Sequence, residues 1–162
     1  MKVEHQKFMV APNLKWKAFW KHVFIKLFII AVLTIVYMWF TAKADLFHVL
    51  YRQPKLWVII LFLYATFSAY PQELIYRTFY FQRYQSLFKS RSLFIFVNAI
   101  IFSLAHIFYK NPLVLVMTFL GGILFALTYE KTRSTLLVSI EHTIYGCWLF
   151  TVGMGDMLGF PG

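Results

Sequence analysis

Residues 23–42 read VFIKLFIIAVLTIVYMWFTA, twenty positions with a single charge, Lys26, close to one end. A helix needs about 20 predominantly apolar residues to cross the hydrocarbon core of a bilayer, and a lysine near a helix end can extend its ammonium to the interface. The stretch therefore reads as a transmembrane helix. The composition of the whole chain agrees: 60% of its 162 residues are hydrophobic and 21% aromatic, more than a soluble domain of this size carries. No small-residue cleavage pattern follows the run, so it is expected to stay in the membrane and not to be removed as a signal peptide.

Toward the C-terminus four further apolar regions follow, at residues 56–84, 93–109, 113–129 and 135–152. The second is longer than one crossing requires and is interrupted by Pro71; the fourth carries Gly121 and Gly122, which suit a close helix approach. Residues 153–162, GMGDMLGFPG, hold too much glycine for a helix interior and read as a loose or re-entrant end. Toward the N-terminus, LKWKAFWKHV (residues 14–23) sets Trp16, Phe19, Trp20 and Val23 at helical spacing while Lys15, Lys17 and Lys21 can face headgroups, the pattern of a helix lying at the interface. The expected organisation is a basic, aromatic interfacial segment at 1–22 and one transmembrane domain at 23–162. The expected fold is all-α, a polytopic transmembrane helix bundle of about five spans.

Sixteen Lys and Arg against six Asp and Glu leave a formal charge of +10. The cations fall between the apolar runs and not along one stripe, which points to membrane loops and lipid headgroups, with no nucleic-acid partner. Placing the N-terminus in the cytoplasm puts Lys2, Lys7, Lys15, Lys17, Lys21, Arg83, Lys89, Arg91, Lys131 and Arg133 inside and only Lys43, Arg52, Lys55 and Lys110 outside, so the N-terminus is expected to be cytoplasmic and the membrane to be the plasma membrane. A single cysteine, Cys147, excludes an intrachain disulfide.

Within the spans the polar residues are Gln72, Glu73, Arg77, Asn98, His106, Glu141 and His142. Ionisable groups at membrane depth cost about 2.5–3.5 kcal/mol each on insertion scales, so they mark a function or a compensating pair. Glu73 and Arg77 stand four apart, in the favourable order for an ion pair on one helix face. That pairing accounts for two residues and leaves the histidines unexplained. At about 1.5 Å per helical residue, Glu73, His106 and His142 lie roughly 15, 21 and 14 Å from the nearest cytoplasmic end of their spans. Three residues on three helices can therefore meet near the midplane of the bilayer, unless Glu73 turns to Arg77 and away from both histidines.

A carboxylate withdrawn from bulk water can take a proton from a water molecule, and an imidazole can relay a proton or donate to a developing oxyanion. Glu73, His106 and His142 together also suit a zinc ion with an open position. Either arrangement supports amide hydrolysis. The chain lacks the HExxH spacing of a helical zinc protease, a Gly-x-Ser-x-Gly elbow and a Gly-rich phosphate loop, so a water-activating carboxylate is the leading chemistry.

The succession QELIYR (72–77), FSLAH (102–106) and EHTIYG (141–146) resembles the CPBP family of intramembrane proteases, which includes CAAX prenyl endopeptidases and Abi-like bacteriocin-processing or immunity proteins. In that resemblance, which covers roughly residues 57–150, Glu73 and Arg77 match the second Glu and the Arg of Glu-Glu-x-x-x-Arg. Phe102 and His106 match Phe-x-x-x-His, and His142 matches the histidine of the third motif. Gln72 stands where the first Glu would be, and Gly146 where an Asn is common; Tyr145 or Asn98 is available to replace that Asn as a donor. The resemblance implies a helical membrane protein with a water-accessible cavity and hydrolysis by glutamate-activated water, although the older metalloprotease label survives for the family.

Three functions compete. The first is an intramembrane endopeptidase acting on a membrane-associated or lipidated peptide, with Glu73 activating water, Gln72 orienting it, His106 and His142 assisting and Arg77 holding the helix geometry. The second is a catalytically degenerate binding or immunity protein of the same fold. The third is a small proton-coupled carrier, disfavoured by the short chain and the lack of an inverted repeat.

Overall fold

The structure, a computed structural model, describes residues 15–159, and its regular elements are all helical. Five helical stretches are long and apolar enough to cross a membrane: Trp16–Thr41, Pro54–Leu87, Arg91–Tyr109, Pro112–Thr132 and Thr135–Val152. The chain is thus an all-α integral membrane protein. Most of the 1–22 segment lies outside the described residues. Its described part, from Trp16, is continuous with the first span as one 26-residue helix, α1 (Trp16–Thr41).

Among the described residues, 70–142 form one compact unit, and 15–69 with 143–159 form another. In the second unit α1 buries Phe19, Val23, Thr34 and Met38, a set that keeps to one side of the helix, while Phe28, Leu33 and Phe40 stay exposed as lipid-facing surface. Its partners include α2 (His48–Arg52), α3 (Pro54–Leu63) and the C-terminal part of α8 (Thr135–Val152). Polar side chains join these helices where lipid offers no competing partner. Trp148 Nε1 donates to Thr34 Oγ1 at 2.9 Å, Tyr145 Oη donates to the Val23 carbonyl at 3.2 Å, and Trp57 Nε1 donates to Thr151 Oγ1 at 3.0 Å. Val49, Ile60 and Phe150 form the apolar centre, with Trp57 and Tyr64 against it. Gly153, at φ +106°, ends α8 where any Cβ would run into the Asp45 carbonyl.

The long second span, Pro54–Leu87, is not one uniform helix. Two wide π segments, Tyr64–Ala69 and Leu74–Phe79, flank the single α turn α4 (Tyr70–Glu73), and α5 (Tyr80–Tyr84) completes the span. Pro71 gives the physical reason for the first. Proline lacks an N–H and its ring crowds the carbonyl four residues back, and a π turn widens the backbone enough to absorb both defects. The second π segment begins directly after Glu73.

α6 (Arg91–Leu104) starts at Ser90, whose hydroxyl accepts from Leu93 N–H at 3.3 Å. α7 (Pro112–Thr132) starts at Asn111, whose amide oxygen accepts from Leu113 N–H at 2.9 Å, with Pro112 in the first helical position, where its missing N–H is harmless. α6 and α7 cross closely at the expected glycine: a Cβ on Gly122 would sit 2.9 Å from Ala99 Cα. α8 is capped by Ser134, whose Oγ accepts from Leu137 N–H. The hydroxyls of Thr78 and Thr135 are hydrogen-bonded to one another, and Tyr129 also bonds Thr78, which ties this end of α8 to α7 and the second span. At the helix ends, Glu130 pairs with both Arg91 and Arg133.

The third span departs from expectation at its C-terminal end. α6 stops at Leu104, and His106 sits in the break before a 3₁₀ turn at Ile107–Tyr109, with φ −104° and ψ 8°. A ring held at a helix break has a different direction from one on a continuous helix face.

Candidate functional site

Gln72, Glu73, Arg77, Asn98, His106, Glu141 and His142 fall in the first unit, and the side chain that joins Arg77 to His142 is Glu73. Its carboxylate is fully buried and is engaged at both ends. Oε1 lies 2.7 Å from His142 Nδ1, and Oε2 lies 3.2 Å from Arg77 Nε. Turning to Arg77 and meeting a histidine were expected as alternatives; the structure has both, because a carboxylate offers two oxygens, each able to take a partner.

Arg77 is fully buried as well. Its Nη1 donates to Asn98 Oδ1 at 2.8 Å, and Asn98 Nδ2 donates to the Tyr76 carbonyl at 2.7 Å. A continuous buried string therefore runs from His142 through Glu73, Arg77 and Asn98 to a backbone oxygen. Its single anion and single cation compensate one another, which is the condition under which charges persist out of water. The guanidinium also lies over aromatic faces, 4.8 Å from the Phe102 ring centroid and 5.8 Å from that of Phe125.

Asn98 has thus committed its amide oxygen and one N–H within the string. It supports Arg77 and does not stand in for the Asn that the resemblance would put at position 146. Tyr145 donates to the Val23 carbonyl.

His142 stacks on Phe125, ring centroids 4.3 Å apart, and meets Phe102 edge-on at 5.8 Å. The same Phe102 ring lies 5.0 Å from the ring of His106. Phe102 is therefore the wall shared by both imidazoles and the guanidinium, and its carbonyl also holds one of the rings, bonding His106 Nδ1 at 2.8 Å. His106 is half-buried, with Tyr109 stacked at 6.1 Å on the ring. Gln72, one residue before Glu73, is half-buried, and Glu141 is fully buried beside His142 in the chain.

The zinc ion weighed as an alternative would need His106, His142 and Glu73 to gather. Among the described residues no three His, Cys, Asp or Glu side chains gather so that they could hold a metal ion.

Gly146 lies one turn beyond His142 on α8. A Cβ there would collide with the hydroxyl and ring of Tyr64, so an asparagine has no room at this position. Gly146→Asn is expected to lower stability by about 1–3 kcal/mol through overpacking. Thermal unfolding in detergent should show the loss, and adding Tyr64→Ala should recover part of it; an unchanged melting temperature for the single variant would contradict the packing described here.

Sequence reasoning missed Phe125, which stacks on His142 from α7, and the carbonyls of Tyr76 and Phe102. Phe125 had a legible signal, since it follows Gly121 by four residues and so continues the close-packed face of α7. Carbonyl partners leave no trace in side-chain identity.

Comparison with protein families matches residues 54–148 to the family described as type II CAAX prenyl endopeptidase Rce1-like. No curated protein matches the chain, and no solved structure does.

Proposed function

The chain belongs to the type II CAAX prenyl endopeptidase Rce1-like family, and from that premise we propose that it is an intramembrane endopeptidase that hydrolyses a peptide bond in a membrane-associated, lipidated substrate. The observation that carries the reading is the buried bond between Glu73 Oε1 and His142 Nδ1 at 2.7 Å. A carboxylate and an imidazole in direct contact form an acid–base pair able to accept a proton from water and return it to a leaving amine. His106, whose ring also packs against Phe102, is the third participant, and the string through Arg77 and Asn98 fixes the carboxylate. The reading is written without a metal, supported by the lack of any gathering of three His, Cys, Asp or Glu side chains among the described residues.

The test is cleavage of a prenylated, membrane-tethered peptide by the purified full-length protein in liposomes. The expected result is a new N-terminus identified by mass spectrometry, with activity unchanged by a chelator and no stoichiometric zinc in the active preparation. Activity that disappears with the chelator and returns with zinc would overturn the metal-free part alone.

One observation favours a second reading, a degenerate protein that binds without cutting. Gln72 occupies the position of the motif's first Glu, and an amide cannot act as a general base. A wild-type protein that is silent and a Gln72→Glu variant that cleaves would establish it.

A further inference from the structure

Two loops at one end of the first unit are tied into a single cationic surface, and we infer that Arg83, Lys89, Lys131 and Arg133 on it form a binding site for the headgroup of an anionic phospholipid. The site is separate from the buried string, and it does not depend on whether the protein cleaves a peptide.

Residues 83–91 join the second span to α6, and residues 130–134 join α7 to α8. Together they carry five cations and one carboxylate, Glu130. Like charges so close repel one another, and loops free to move would spread them apart. These loops are fastened. Arg91 pairs with Glu130 across the two loops, and its guanidinium lies against the rings of Phe81 and Phe94, 5.5 and 5.3 Å from their centroids. Arg133 Nη2 donates to Glu130 Oε1 at 3.0 Å, and its Nη1 donates to Gln85 Oε1 at 3.3 Å. Phe88, from the first loop, packs edge-on against Phe94 at 5.2 Å.

The single carboxylate is used up by this fastening. Arg83, Lys89 and Lys131 are exposed and make no ion pair among the described residues, and the Arg133 side chain keeps 48% of its surface open. The backbone that carries these charges is already held in place, so an anion that binds them has little further ordering to offset.

The apolar groups beside the cations say what kind of anion fits. Leu87 is 73% exposed and Tyr84 38% exposed, both in the first of the two loops. A small anion in water would leave them uncovered. A phospholipid covers both kinds of surface, its phosphate against the cations and its upper chain against Leu87, with Tyr84 at the level where amphipathic rings gather. The loops join spans long enough to cross the membrane, which sets them where hydrocarbon gives way to headgroups.

The experiment is native mass spectrometry of the full-length protein released from micelles that hold phosphatidylglycerol and phosphatidylcholine of the same acyl chains in equal amounts. Wild type is expected to retain phosphatidylglycerol at least about tenfold over phosphatidylcholine, and Lys89→Gln with Lys131→Gln to lose most of that preference, at about fivefold per cation removed. Neither side chain holds another element in place, so the unfolding curve of this variant should match wild type. Arg52→Gln with Lys55→Gln, which takes the same charge from the second unit, should leave the preference unchanged. In wild type the preference should also collapse in about 0.5 M ammonium acetate, where exposed charges are screened. Equal retention of the two lipids by wild type overturns the inference. So does an equal loss in the Arg52 and Lys55 variant, which would assign the preference to net charge alone. Displacement of the lipid by a soluble glutamate-rich peptide at micromolar concentration overturns it as well, and would make the surface a seat for acidic polypeptide.

Discussion

Arg77→Ala is expected to destabilise the protein by about 3–5 kcal/mol, the range for removing one partner of a buried ion pair. The loss arises because Glu73 would keep its charge at full burial with no countercharge, while Asn98 Oδ1 would lose its donor. Unfolding in mixed micelles with increasing denaturing detergent should show the shift. The paired change Glu73→Leu with Arg77→Met removes both charges and is expected to recover most of that stability. It should not recover all of it, because Asn98 and His142 would each keep a buried polar atom without its partner, at about 1–3 kcal/mol each. Cleavage should be lost in the pair even where folding returns. An Arg77→Ala variant as stable as wild type would mean that the buried string contributes nothing to the fold.

The opposite pattern is expected for His106→Ala. The ring is half-buried, and its Nδ1 bonds the carbonyl of its own preceding turn, so little of the fold depends on it. Its removal should leave the unfolding curve near wild type while kcat falls about 10²- to 10⁴-fold, the usual reach of a positioned acid–base group. Measured kcat with a parallel unfolding curve separates the two effects. Full activity in His106→Ala would remove the second imidazole from the site.

Much of this arrangement is readable from residue order, and the reasons differ by residue. The spans are legible because lipid permits only long apolar helices there. The Glu73–Arg77 contact is legible because four residues make nearly one helical turn. Close packing at Gly122 is legible for a similar local reason. Other features depend on how far each helix is rotated about its own axis, which a single sequence does not encode. That Asn98 serves Arg77, and not an oxyanion, follows from the rotation of α6. That Tyr64 fills the space beside Gly146 cannot be read from a glycine, which announces room for something without naming it. The break at His106 is hidden because apolar composition continues through Tyr109 while the regular α-helix stops at Leu104. The caps at Ser90, Asn111–Pro112 and Ser134 do carry a signal, of the kind that marks helix starts.

The two wide turns around residues 70–73 have a consequence for how this site tolerates change in length. A π turn holds about one residue more than an α turn, so each behaves as a single-residue insertion accommodated inside a helix. Deleting one residue from 64–69 would return that turn to α geometry and leave the face presented by the following residues nearly unchanged. The same deletion inside the single α turn Tyr70–Glu73, which holds no spare residue, would rotate the chain on its two sides against one another by about 100° about the helix axis. The wide turns are therefore where this span can lose a residue, and the turn between them, which carries Glu73, is where it cannot.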